Sequence, residues 1–365
     1  MGCVMNILIL YGRFGMGHMQ TAKSIARQLE MSGQGHNVRC VDFFDYTGKG
    51  DLVYKAFNFI VRKGEGVFNR VYNVSNEMGS FGLPMKSYCY SEFSRLLDEC
   101  RPQMIISTLP FTSLLAGRYK AKFGKDYKLV TCITDINIHG DWVAPGTDAY
   151  LAPSVETKSQ LCQMGVPQSH IFVSGVPLNP AFSRELPESP THAHQTRRLL
   201  IMGGGLGLIS DSMDFYGGLN RLPNVETTVV CAGNTKLYEA LKGRFENVRA
   251  LGFVEHMAAL MRESDLLLGK PGGVTVFEAI ACRLPFLALK PFLSQEISNG
   301  QFILNHGLGD ILAAEPEKSL GQISDMLWDF EGLCRIKSNM RALEAGFDRD
   351  AIFALCRLFS ESFAA

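Results

Sequence analysis

The sequence predicts an α/β protein built from two doubly wound domains. Three observations carry this reading. Short apolar runs of strand length alternate with stretches whose apolar residues recur at helical spacing. The alternation breaks once, at the polar, proline-containing stretch RELPESPTHAHQTRR (184–198), which has no apolar period. A second alternating cycle then begins, and 365 residues suffice for two sizeable cores.

In the first cycle, Val4–Tyr11 (VMNILILY) reads as a buried parallel strand, because it is apolar on both faces. Thr21–Leu29 follows as a helix, with Ala22, Ile25, Ala26 and Leu29 on one stripe. NVRCVDFFD (37–45), MIISTLP (104–110) and KLVTCITD (128–135) are further strands, and DAYLAPS (148–154) and IFVSGVP (171–177) are shorter ones. Helices fall between them, around Glu92–Cys100 and Thr157–Met164. The second cycle supplies RLLIMGGGLG (198–207), NVETTVVCAG (224–233), NVRALGFV (247–254), SDLLLGKPGG (264–273), LPFLALKP (284–291) and GDILAA (309–314), with a helical close after about Leu320. The expected division is a first domain over 1–183, a linker over 184–198, a second domain over 199–335 and a terminal helical segment over 336–365.

Apolar content of 46% and charged content of 20% fit an ordinary soluble protein, and the formal net charge of zero gives no global attraction to nucleic acid. Any anionic partner must be met by a local patch. The ten cysteines form no C-x-x-C pair and no ligand spacing with His, so reduced thiols in a cytosol are expected, not disulfides or zinc. The chain starts Met-Gly, but Asn6 stands where myristoylation requires Ser or Thr. Val4–Tyr11 is too short and meets glycines too soon to be a signal peptide or a membrane span, and no apolar run of about 18 residues occurs. A membrane role would therefore be peripheral.

GRFGMGHM (12–19) sits between the first strand and the first helix. Its Gly12…Gly17 spacing begins like a P-loop, but His18 and Met19 replace the Lys and the Ser/Thr that would hold phosphate and Mg²⁺. Gln20 stands where a third dinucleotide glycine would be. The loop thus offers a phosphate loop's shape with an imidazole at its tip. Two further glycine loops follow strands of the second domain. Glycines 203, 204, 205 and 207 let a backbone approach a ligand, or simply make a tight turn. Gly269-Lys270-Pro271-Gly272-Gly273 leads into a helix expected near Thr275, with Glu278 in its first turn, either as a dipole-matched acid or as a grip on ribose hydroxyls. Two such loops in one domain favour a nucleotide. Gln295, Glu296 and Asn299 share one helical turn after another strand, which suits sugar hydroxyls or a solvated face.

These pieces together resemble glycosyltransferase family 28, which includes bacterial processive diacylglycerol glucosyltransferases, plant monogalactosyldiacylglycerol synthases and the peptidoglycan N-acetylglucosaminyltransferase. The resemblance runs from Ile7 to about Gly307. YGRFGMGHMQTAKSI looks like the family's glycine loop, and TDINIHGDWVAPGTDAYLAPS resembles the T-D-x-x-x-H-x-x-W stretch of the lipid-sugar branch. GKPGGVTVFEAIACRLPFL and QEISNGQFI resemble the donor-site signature. The resemblance implies a GT-B fold, in which two Rossmann-like domains face across a cleft and the last helix crosses back to the first. It implies a UDP-sugar donor (UDP-glucose or UDP-galactose), diacylglycerol as acceptor, inversion at the anomeric carbon, no metal and no cofactor. An undecaprenyl-linked or other small acceptor, a UDP-sugar epimerase and a sensor without turnover are the competing readings.

By the same resemblance, backbone near Phe253 and Val254 contacts uracil and Glu278 holds the ribose. Gly203, Gly204, Gly205, Gly207, Gly272, Gly273 and Thr275 hold the diphosphate, helped by Lys270. Gln295, Glu296 and Asn299 meet the sugar. Helix N-termini behind the two glycine loops stand in for the metal. His18 is the expected general base, with an ordinary pKa near 6.5, and Asp135 is a rival base or an orienting group. Gly15, Gly17, His139 and Trp142 shape the acceptor side. Arg13 and Phe14 are bulkier than the residues of many relatives. The stretch 51–73 interleaves Lys55, Arg62, Lys63 and Arg70 with Phe57, Phe59 and Phe68, which suits either an anionic bilayer surface or an amphipathic helix on the core. The implied location is the cytoplasmic face of the cell membrane.

Overall fold

A computed structural model describes residues 4–62, 87–182, 196–204, 207, 209–291 and 293–364. Lys63, Phe68, Arg70 and Gly205 lie outside the described residues, as do the side chains of Phe57 and Arg62. The chain divides into two compact units, 1–180 with 347–365, and 181–346.

In the first unit, strand β1 (Asn6–Tyr11) leads to helix α1 (Gly17–Met31) and then β2 (Asn37–Asp42). Helices α2 (Phe43–Tyr46), α3 (Gly50–Arg62) and α4 (Ser87–Cys100) precede β3 (Met104–Ser107). Helix α5 (Pro110–Phe123), β4 (Lys128–Cys132), β5 (Ala149–Ala152), α6 (Val155–Gln163) and β6 (Ile171–Val173) complete the cycle. The strands form one parallel sheet in the order β2-β1-β3-β4-β5-β6. Chain direction across the sheet reverses beside β1, so the gap between the ends of β1 and β3 is the switch point where such sheets bind ligands. β1 explains its own apolar run. Ile7 and Ile9 face Ala22, Ile25 and Leu29 of α1, while Leu8 and Leu10 face Phe93, Leu96 and Leu115 on the other side. Both faces are buried, so no alternation survives in the sequence.

The strand expected over 37–45 stops at Asp42. The Asp42 carboxylate accepts from the backbone N–H groups of Phe44 (3.0 Å) and Asp45 (3.2 Å) and so caps α2. The two phenylalanines therefore enter a helical turn that still buries them. Pro110 likewise ends the β3 run by opening α5.

The second unit has β7 (Arg197–Met202), α7 (Met213–Asn220), β8 (Val225–Val230), α8 (Thr235–Leu241), β9 (Val248–Leu251), α9 (Met257–Arg262) and β10 (Leu266–Gly269). Helix α10 (Gly273–Cys282), β11 (Phe286–Ala288), α11 (Ser294–Asn305), β12 (Gly309–Ile311), α12 (Pro316–Trp328) and α13 (Phe330–Ala345) follow. Its parallel sheet runs β12-β11-β10-β7-β8-β9, with the switch point between β7 and β10. Arg197 and Arg198, read above as the end of a linker, are strand instead. Arg197 is buried, its guanidinium 3.6 Å from the Asp265 carboxylate and stacked over Trp328 at 5.3 Å. The last helix, α14 (Ala351–Ala364), belongs to the first unit, where Ile352, Leu355, Cys356 and Phe359 join the α1 face of the core. The return to that unit starts at Phe347, because α13 stays with the second.

Gly207 shows how tightly the β7 loop is built. It has φ +61°, and a Cβ there would lie 2.2 Å from the Cys231 carbonyl oxygen and 2.8 Å from Asn234 Cβ. Asn234 also donates its side-chain N–H to the Gly207 carbonyl (3.2 Å). Gly207→Ala is expected to destabilise the protein by about 2–4 kcal/mol, read as a lower urea midpoint at unchanged slope.

Candidate active site

His18 is the second residue of α1, at the switch point of the first sheet. Its Nδ1 lies 2.6 Å from the carbonyl oxygen of Thr108, just beyond β3. A carbonyl can only accept, so Nδ1 carries the proton and donates. The Thr134 hydroxyl, 3.1 Å from Nδ1, shares that proton as a second acceptor. Thr108 fixes the arrangement from both ends. Its hydroxyl donates to the His18 carbonyl (3.0 Å) and its N–H to the Leu10 carbonyl (3.0 Å). Nε2 is thereby left as the unprotonated nitrogen. Burial pushes the His18 pKa down to about 4, against the pull of the Thr108 bond, and His139 adds a smaller push the same way. The imidazole is neutral at pH 7, with a lone pair on Nε2.

Asp135 follows Thr134, and burial raises its carboxyl to about 7. It makes no hydrogen bond to His18. The Nδ1 position an orienting carboxylate would take is occupied by the Thr108 carbonyl, so it is Thr108 and not Asp135 that holds the His18 ring. Trp142 is fully buried, packed with Ile133, Ile138, Tyr150 and Leu161, so it can shape the acceptor side only from within the core. Its ring lies 6.2 Å from that of His18 and 6.4 Å from that of His139 and supports both. His139 is also buried, with Nδ1 3.7 Å from an Asp141 carboxylate oxygen. Gly15 adopts φ +79° in the loop and Gly17 opens α1.

In the second unit, the predicted donor residues gather at the C-terminal ends of β7, β10 and β11, three neighbouring strands. Gly203, Gly204 and Gly207 follow β7, and Gly204 has φ +67° with open space around its Cα. No helix starts directly behind them. α7 begins at Met213, and its end is capped by Ser212, whose hydroxyl accepts from Phe215 N–H (3.3 Å). Any anion there meets loop amides, not a helix dipole. α10 differs, because Gly272 is its N-cap and no side chain caps it, so its first amides are open to an anion. The helix begins at Gly273, so Glu278 falls in its second turn and not its first. The dipole explanation for Glu278 therefore lapses, and burial raises its carboxyl to about 8. Thr275 lies in the first turn.

Lys270 and Glu296 form an ion pair across the ends of β10 and β11. Glu296 and Asn299 are buried on α11, where Asn299 donates to the Pro271 carbonyl (2.9 Å). Among the described residues, Glu296 Oε2 and Asn299 Oδ1 are buried acceptors with no hydrogen-bond partner. Gln295 is half-buried beside them. Phe253, three-quarters exposed, and Val254 follow β9 at the same end of the sheet. One Asp-x-Asp triplet, Asp348-Arg349-Asp350, precedes α14. Among the described residues no three His, Cys, Asp or Glu side chains gather to hold a metal ion, and no helix is long and apolar enough to cross a membrane. Thr108 and Thr134 carried no role in the sequence reading. The available signal was a hydroxyl residue just beyond each of two neighbouring strands, one residue past β3 and two past β4.

Over residues 18–178, a span that starts at His18 and takes in Thr108, Thr134 and Asp135, the chain matches the family model described as monogalactosyldiacylglycerol (MGDG) synthase. It is 27% identical over 372 residues to the processive diacylglycerol beta-glucosyltransferase of Bacillus subtilis (strain 168), covering 95% of this chain and 93% of the relative. It is 28% identical over 363 residues to the protein of the same name from Bacillus pumilus (strain SAFR-032), covering 93% and 91%. The chain is a glycosyltransferase. Solved structures agree on the fold of this glycosyltransferase. CalG4, the calicheamicin glycosyltransferase, aligns with a TM-score of 0.68 at 12% identity over 100% of both chains. MurG of Acinetobacter baumannii aligns with a TM-score of 0.62 at 15% identity over 98% of this chain and 99% of its own. The two parallel sheets are those of the GT-B fold, and the resemblance to the diacylglycerol glycosyltransferases of family 28 extends along nearly the whole glycosyltransferase chain.

Proposed function

We propose that the protein transfers a hexose from UDP-glucose or UDP-galactose to diacylglycerol, with inversion and without a metal ion, at the cytoplasmic surface of a membrane. The observation that carries this reading is the fixed tautomer of His18, which leaves Nε2 as a lone pair at a switch point. The relatives' names supply the substrate class.

In this reading the acceptor hydroxyl gives its proton to His18 Nε2 as its oxygen bonds to the anomeric carbon. The bond from that carbon to the diphosphate breaks on the opposite face, and its electron pair leaves with UDP. The charge growing on UDP is met by the amides of Gly203, Gly204 and Gly207 and by the uncapped start of α10. Lys270 contributes less than expected, because Glu296 neutralises it. Glu296 and Asn299 offer their unpartnered oxygens to sugar hydroxyls, and Glu278, protonated near neutral pH, can pair with ribose. Phe253 gives uracil an exposed ring. A base with a pKa of about 4 stays ready across pH 6–8 but is weak. Attack and proton transfer must therefore be concerted, since the hydroxyl becomes acidic only as the new bond forms.

Helix α3 presents Leu52 (72% exposed), Lys55, Ala56 and Phe59 (59% exposed) along one face, which supports its assignment to a bilayer surface. The deciding experiment incubates the protein with each UDP-sugar and with diacylglycerol in anionic vesicles and reads the product by mass. Hexosyl-diacylglycerol is expected. UDP release without a glycolipid, or transfer only to another acceptor, would overturn the reading.

A further inference from the structure

The glycine loop carries two bulky side chains between β1 and His18, and both dock onto the α2–α3 region. Phe14 packs edge-on against Phe44 (5.2 Å) and Tyr54 (5.3 Å). The Arg13 guanidinium lies over the Tyr54 ring at 4.7 Å, donates from Nε to Asp42 (3.2 Å) and grips the Asp45 carboxylate from Nη2 (2.6 and 2.5 Å). The Tyr54 hydroxyl is the hub. It accepts from the Arg13 backbone N–H (2.9 Å) and donates to Asp42 (2.6 and 2.8 Å). Burial, and then the Asp42 carboxylate, raise its pKa, so it remains a protonated donor. Asp42 meanwhile caps α2, so one carboxylate joins the loop, α2 and α3.

Tyr54 is the buried inner residue of α3, between Leu52 and Phe59 of its exposed face. The face with Leu52, Lys55 and Phe59 is thus largely exposed, while Tyr54 is bonded to the backbone of the loop that carries His18. Gly15 in this loop has φ +79°, and among the described residues no atom lies within 4 Å of where its Cβ would be.

We propose that Tyr54 is a positioning residue of the transfer reaction: its hydroxyl ties α3 to the His18 loop, so that seating α3 on a lipid surface sets the base in register with the acceptor. The proposal rests on the function proposed above.

The test compares Tyr54→Phe with Tyr127→Phe. Each loses one buried hydroxyl, but the Tyr127 hydroxyl donates to the Ala116 carbonyl (2.7 Å), away from the loop. With vesicle-borne diacylglycerol, Tyr54→Phe is expected to lower kcat about 10-fold or more, with KM for the UDP-sugar within about twofold of wild type. The His18 ring titration, followed by NMR, should move from about 4 towards 6.5 as the loop admits water. His139, the charged group that acts on His18, is untouched by either change. Tyr127→Phe should change neither readout, even if its Tm falls as far. Asp42→Asn serves as a second variant, since its amide oxygen can still cap α2, and it should move both readouts in the direction of Tyr54→Phe. The proposal is overturned if Tyr54→Phe keeps its kcat, or if both tyrosine variants lose activity in step with Tm while the His18 titration stays put. Should wild type make no glycolipid, the functional reading falls, while the titration still reports separately whether Tyr54 holds the loop.

Discussion

His18→Ala is expected to lower kcat by about 10²- to 10⁴-fold while leaving the Kd for UDP within about twofold, because in the proposed mechanism the imidazole acts on the acceptor proton and not on the nucleotide. Asp135→Asn should cost less than about 10-fold. The pH profile separates the two candidate bases independently of mutagenesis. A base works only when unprotonated, so activity falls as pH drops through its pKa. With His18 as base, kcat/KM stays level from pH 8 to pH 6 and falls only towards pH 4–5, where burial has placed that imidazole. With Asp135 as base, the fall would centre near pH 7. A limb near 7 that disappears in Asp135→Asn would transfer the role to the carboxylate.

Glu296→Ala is expected to lower kcat/KM for the UDP-sugar by about 10²-fold or more, with little change in the affinity for UDP alone. Two losses combine. The variant removes a buried acceptor whose second oxygen has no protein partner, so a sugar hydroxyl loses a charged hydrogen bond. It also strips Lys270 of its counter-charge at the end of β10. The freed lysine would then draw the diphosphate more strongly, so UDP affinity should hold or rise while the sugar is lost. Equal weakening of UDP and UDP-sugar would place Glu296 among the structural supports of the loop and away from the hexose.

Much of this arrangement was legible in the sequence because it is local. The apolar runs of β1 and β10 fall where both faces of a sheet are covered, and the glycines fall where chain must turn at strand ends. His18 could be singled out because it replaces the lysine of a familiar loop. What could not be read depends on contacts between distant positions. The Thr108 carbonyl that fixes the imidazole lies 90 residues away, and Tyr54 reaches the Arg13 amide across 41. A backbone carbonyl leaves no trace in residue type. Asp42 looked like the middle of a strand because nothing in FFD announces that its carboxylate will cap a turn. Trp142 was placed on the acceptor side by the resemblance alone, and residue type does not tell a pocket wall from the core behind it. Glu278 was placed one turn early because Gly273 could begin the helix as readily as Thr275.

The central claim is inverting transfer in which backbone amides and one imidazole replace a metal. Its most direct test is the ¹H NMR spectrum of the glycolipid made from an α-linked UDP-hexose in the presence of EDTA. The account predicts undiminished product whose anomeric proton shows the large axial–axial coupling of a β-linked hexose. An α-linked product, or no product until a divalent cation is restored, would contradict it.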